Sequence, residues 1–184
     1  MGKNDRIIQR VAHWIEYAVI GLDLCPFAEP AFNRQKINVV ISETRDTDAL
    51  MFELYREIVR LEDNPGIETT LLIIPLQLAD FGDYNDSLDQ VDALLEANAW
   101  TGKFQVASFH PHYRFEGTQS DDRENWSNRS PYPIYHILRE SSIALAVERH
   151  PAVDQIPVKN IRTLKSLDQE SFEKIFIAER DEKS

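Results

Sequence analysis

Three stretches of the chain concentrate side chains that can do chemistry. The first, Gly21-Leu22-Asp23-Leu24-Cys25-Pro26-Phe27-Ala28, is built around the single cysteine. If a short helix opens at Pro26, Cys25 is its N-cap. Backbone N–H groups and the helix dipole would then favour a thiolate, with Asp23 partly opposing it. The competing expectation is a small buried hydrophobe among Leu22, Leu24 and Phe27, the commoner fate of a free cysteine. The second stretch is Phe109-His110-Pro111-His112-Tyr113-Arg114-Phe115-Glu116-Gly117-Thr118. Two imidazoles one residue apart on stiff, extended backbone lie on one side and could share a divalent metal, His110 and His112 being completed by Glu116 or His136. Histidines donating to loop carbonyls are the alternative.

The third stretch runs from Asn125 to Glu140 and carries Arg129, Ser130, His136, Arg139 and Glu140. Read as the first turn of a helix, the backbone around His136 would keep its imidazole neutral, able to serve as a base or a metal ligand. Glu140, with Glu116, is expected to orient a ring. Arg114, Arg129, Ser130 and Arg139 are the expected anion-binding groups, since a guanidinium fork matches a carboxylate or phosphate. The alternative is a salt-bridge network that pins the loop to the helix.

These stretches must be positioned by ordinary elements. Apolar residues at helical spacing, from Ile7 through Leu22, predict an N-terminal helix that stops near Gly21. Lys36–Ser42, Thr69–Ile74 and Phe104–Phe109 are short β-branched or apolar runs and predict strands. Helices are predicted between them, over about 46–62 and 85–99. The Asp83, Asp86, Asp89 and Asp92 row of the second marks a solvated face rather than a metal array. The period vanishes from His110 to Tyr132. From Pro133 a helical period returns through Ile134, Ile137, Leu138, Ile143 and Leu145, which predicts a helix with Pro133 at its first position, ended by Pro151. Two short helices follow, near 158–167 and 169–178, and then a frayed charged tail over 179–184.

The expected fold class is therefore α/β: a small sheet of three to five strands made from β-α-β-α-β units, with the N-terminal helix and the C-terminal helices packed on it. An α+β ferredoxin-like sandwich is the alternative, because one unrecognised strand would change the topology. At 184 residues a single globular domain is expected. Twenty Lys+Arg against 31 Asp+Glu leave a net charge of −11, which argues against a nucleic-acid partner. No apolar run is long enough to span a bilayer. The opening residues lack an uninterrupted apolar signal core, and one cysteine fits a reducing compartment, so the expected location is cytoplasmic.

The segments GLDLCPFA, TTLLIIP, FHPHYRFEGT and NRSPYPIYHILRE, spread from Trp14 to about Leu167, resemble the signature of a bacterial family known as domain of unknown function 1415. The resemblance implies a self-contained soluble cytosolic protein and supplies no catalytic assignment, so cofactors stay unknown.

The leading functional expectation is a small-molecule enzyme or ligand-binding protein with a pocket for an anionic substrate. His110 or His136 would be the base, Arg129 and Arg139 the anion clamp, and Cys25 a nucleophile if the fold brings it near. A hydrolase-like metal site at His110, His112 and His136 is a second class. A non-catalytic interaction module using the aromatic loop 113–135 is a third, and it would present its rings to solvent. Thiol redox chemistry at Cys25 is a smaller fourth, which would need an external thiol.

Overall fold

The computed structural model describes residues 2–149 and 153–176. Helix α1 (Lys3–His13) runs on without a break into a π-helical segment, Trp14–Ile20. Its wide turn closes when the N–H of Gly21 donates to Glu16 O, five residues back, at 2.9 Å. A Cβ on Gly21 would stand 2.5 Å from Tyr17 O, so the close approach of backbone to backbone requires glycine. The chain then folds back, with Asp23 at φ +50° and the N–H of Leu24 bonded to Val19 O at 2.9 Å. The short α2 (Ala28–Asn33) follows.

β1 (Ile37–Ile41), α3 (Thr47–Asp63), β2 (Thr69–Ile73), α4 (Phe81–Ala97) and β3 (Phe104–Phe109) stand within a few residues of where periodicity puts them. Asp46 caps α3 by accepting from Ala49 N, and Asp80 caps α4 by accepting from Gly82 N and Asp83 N. The aspartate row of α4 faces solvent, as its spacing implies.

The largest correction to the sequence reading follows Pro133. Ile134–Arg139 is a strand, β4, and the helix α5 starts only at Glu140 (Glu140–Arg149). The sheet order is β1-β2-β4-β3: β1 and β2 pair in parallel, and β4 runs antiparallel to both its neighbours, β2 and β3. The fold is mixed α/β with a four-stranded mixed sheet. β1, β2 and β3 point one way, as β-α-β-α-β units require, and β4 is inserted against them. That single reversed strand also sets the sheet apart from the antiparallel ferredoxin-like alternative. Helices α6 (Ile156–Ser166) and α7 (Gln169–Phe176) match the two predicted short helices. The expected break at Pro151 and the tail over 179–184 lie outside the described residues.

Side chains alternate across the sheet and build a core on each face. One face carries Leu72, Ile74, Tyr135, Ile137 and Phe104 against Leu50, Leu54, Ile58 and Leu61 of α3 and Tyr84 and Val91 of α4. The other carries Leu71, Ile73 and Ile134 against Ile7, Val11, Trp14 and Ile15, with Trp126, Leu164, Phe172 and Phe176 closing its end. Each fully buried aliphatic or aromatic side chain stabilises by about 1.5–3 kcal/mol.

Replacing Gly21 with alanine should lower stability by about 1–3 kcal/mol in urea denaturation, because Tyr17 O or the turn itself must move to admit the methyl group. An unchanged midpoint would mean that the close approach does not exist in solution.

Candidate functional site

The inserted strand decides where each expected site residue goes. In β4, side chains two apart share a face, so Ile134, His136 and Leu138 look one way while Tyr135, Ile137 and Arg139 look the other. His136 and Arg139 are therefore separated by the sheet. Neither the helical first turn nor the helix dipole applies to His136.

Arg139 closes the open end of α3. Its Nη2 donates to Leu61 O and, at 3.1 Å, to Asn64 O, and its Nε to Ile67 O at 3.3 Å. Arg129 is buried over the Trp126 ring at 4.7 Å, with Nε on Tyr113 O at 3.1 Å and Nη2 on Ser120 O. Both guanidinium groups are spent on backbone carbonyls and are not positioned as an anion clamp. Ser130 is buried and donates to Tyr132 O at 2.6 Å. Arg114 and Glu116 stand exposed on the loop, and Glu140 opens α5 with its N–H on Lys103 O.

His110 is fully buried and packs against the rings of both Phe81 and Tyr84. Its Nε2 donates to Leu78 O at 3.0 Å and its Nδ1 accepts from His112 N at 3.0 Å, so both nitrogens are occupied. Burial lowers its pKa, and the ring is a neutral brace for the loop. His112 is exposed. His110, His112 and His136 do not form a metal centre, and no group of three or more His, Cys, Asp or Glu placed to hold an ion occurs among the described residues. The aromatic loop turns inward: Trp126 and Tyr135 are buried, and Tyr113, Phe115 and Tyr132 are half-buried. Asn125, which residue type alone did not single out, organises this loop. Its Oδ1 accepts from Phe115 N and Thr118 Oγ1, and its Nδ2 donates to Gln119 O.

Two expected site residues do meet. Cys25 and His136 line one cavity of about 560 Å³. Its floor is the sheet face of Ile37, Thr69, Leu71, Ala107, Phe109, His136 and Leu138, reaching from the amino-terminal residues of β1 and β2 to the carboxyl-terminal residue of β3. One wall is the π-helical segment with α2, the other is Ser142, Ile143, Leu145 and Ala146 of α5. The lining is mainly apolar, the size and character of a small-molecule pocket.

The polar group at the floor has a fixed proton. Thr69 Oγ1 has one hydrogen and donates it to Ile137 O at 2.6 Å. Its 2.7 Å contact with His136 Nε2 must then be an N–H donated to the hydroxyl, so the imidazole is the Nε2–H tautomer and keeps a lone pair on Nδ1. Burial pushes the pKa of His136 down to about 4, so the ring is neutral at pH 7. Thr69, whose role lay hidden in an apolar strand, is thus the residue that sets the ring.

Cys25 is neither the N-cap nor a sealed core residue. Phe27 occupies the cap position of α2, and Cys25 is half-buried. Burial raises its thiol pKa, and this outweighs the lowering by the N–H groups of Phe27 and Ala28; Asp23 adds to the rise.

The depressed value at His136 makes stability pH-dependent. An imidazole near 6.5 in the unfolded chain and about 4 in the folded one means that the unfolded chain binds more protons between those values. Stability is complete above about 6.5 and falls as the pH drops toward 4, by up to roughly 3 kcal/mol from this group. His110 acts in the same direction. In urea titrations, His136→Gln should lose stability less steeply than the parent over that window; equal slopes would refute the assignment.

No helix of the described residues is long and apolar enough to cross a membrane. No curated protein and no solved structure matches the chain. A family model described as a protein of unknown function, DUF1415, matches residues 6–174, so the chain belongs to that family.

Proposed function

We propose that the cavity on the sheet face binds a small organic molecule with a mainly apolar body and a hydrogen-bond donor, which His136 Nδ1 accepts. The observation that carries this reading is the tautomer lock. Thr69 Oγ1 accepts from the Nε2–H of His136, and the neutral imidazole, which lines a mainly apolar cavity, keeps an acceptor on Nδ1. An apolar wall with a few placed polar groups is how small-molecule sites gain affinity and orientation together. With its pKa pushed to about 4, His136 is a weak base near neutral pH, so its part is to hold and orient a donor group.

The second reading is an enzyme that uses the Cys25 thiolate. The N–H groups of Phe27 and Ala28 directed at the sulfur favour it, and the larger effect of burial opposes it. Inward-turned rings on the 113–135 loop speak against the interaction module. A cytoplasmic setting suits both readings, since the lone cysteine would stay reduced there.

The test uses 4-ethylphenol, an apolar body with one donor, followed by NMR shift changes and calorimetry. We expect saturable binding with shifts at cavity-lining residues. Ala107→Leu, which adds bulk at the floor, should weaken it about tenfold or more with no loss of thermal stability. 4-Methylanisole, which has no donor, should bind roughly three- to tenfold more weakly, the worth of one neutral hydrogen bond. Absence of saturable 4-ethylphenol binding overturns the proposal.

A further inference from the structure

The same cavity has one cationic and one anionic side chain among its described lining residues, Arg34 and Glu68. Arg34 follows α2 directly and is exposed. Its guanidinium has no hydrogen bond or ion pair with any described residue, and none joins it to Glu68. Arg123, Arg129 and Arg139 differ in kind, because each is held by backbone carbonyls. A guanidinium that borders an apolar cavity and is left with its donors unspent is suited to a planar, bidentate acceptor. From the floor, His136 asks for a donor; from the edge, Arg34 asks for an anion.

Resting on the reading above, we infer that the ligand is a hydroxyl-bearing carboxylic acid of small aromatic or aliphatic frame, its carboxylate held by Arg34 and its hydroxyl by His136. This returns an anionic ligand to the chain, on an arginine that neither motif nor spacing brought forward. Glu68 lines the same cavity and is half-buried. It disfavours a second negative charge on the ligand, so the class is a monocarboxylate and not a dicarboxylate or phosphate.

The experiment compares 3-(4-hydroxyphenyl)propanoate with 4-ethylphenol by calorimetry at low salt. These two probes share the aromatic body and the hydroxyl and differ in the carboxylate. The carboxylate should bind at least tenfold more tightly, and the advantage should shrink in high salt. Arg34→Gln should remove the advantage and leave 4-ethylphenol binding unchanged; the side chain makes no bond to described residues, so folding is not at stake. Arg34→Lys should restore part of it, and Glu68→Gln should strengthen carboxylate binding. If 4-ethylphenol binds and the carboxylate binds no better, or Arg34→Gln leaves the advantage intact, this inference is overturned while the cavity reading stands. If tyramine, an ammonium in place of the carboxylate, binds more tightly than 3-(4-hydroxyphenyl)propanoate, Glu68 governs the site and the inference fails. If neither phenol binds, both fall together.

Discussion

A strand placed inside a sheet must satisfy backbone donors and acceptors on both of its edges, and β4 does this with β2 on one side and β3 on the other. Without it, β2 and β3 would have no shared neighbour and each would expose an unpaired edge on an apolar strand. The insertion itself needs only a tight turn, because Phe109 and Ile134 are directly opposite each other in the register, yet the chain takes a long connection between them. The 110–133 segment is that connection. Asn125, Arg129 and His110 are the residues that keep its backbone polar groups partnered while it crosses the end of the sheet.

The same insertion creates the cavity. Reversing β4 puts His136 directly opposite both Leu71 and Ala107, where small and aliphatic neighbours leave space above the ring. It also puts Ile137 O beside Thr69, and so supplies the carbonyl that fixes the hydroxyl and, through it, the imidazole. The floor of the site and the centre of the sheet are one arrangement. This ties the state of the imidazole to fold stability: what disturbs the pairing of β4 with β2 disturbs the tautomer too.

Much of this was legible. The alternation of helices and strands from Lys36 to Phe109 follows from caps, β-branched runs and helical apolar spacing. The buried fate of the α4 face and the solvated fate of its aspartates follow from the same spacing. β4 was not legible, for a definite reason. Both of its faces are covered, so Ile134, Tyr135, Ile137 and Leu138 form a near-continuous apolar run. Joined to Ile143 and Leu145 of α5, that run imitates a helical period. Pro133 strengthened the imitation because it suits a helix start, whereas here its carbonyl extends the β2–β4 pairing by accepting from Ile74 N. Once β4 is misread, His136 and Arg139 fall on one face, and the anion clamp looks assembled. The true partners of Arg129 and Arg139 are backbone carbonyls, which have no signature in residue type.

His110, buried, and His136, half-buried, show why a residue type cannot by itself mark a site. Both rings are neutral, both have a proton on Nε2, and both owe their orientation in the end to a backbone carbonyl. His110 receives an N–H on its remaining nitrogen and is sealed, so every polar atom is answered within the chain. His136 is answered on one side only, and its other side belongs to a cavity. Burying a polar atom without a partner costs roughly 1–3 kcal/mol, a cost His110 avoids by bonding and His136 by remaining within reach of whatever fills the cavity. The distinction rests on one hydrogen bond: the N–H received at Nδ1 makes His110 a structural brace, and among the described residues the Nδ1 of His136 receives none.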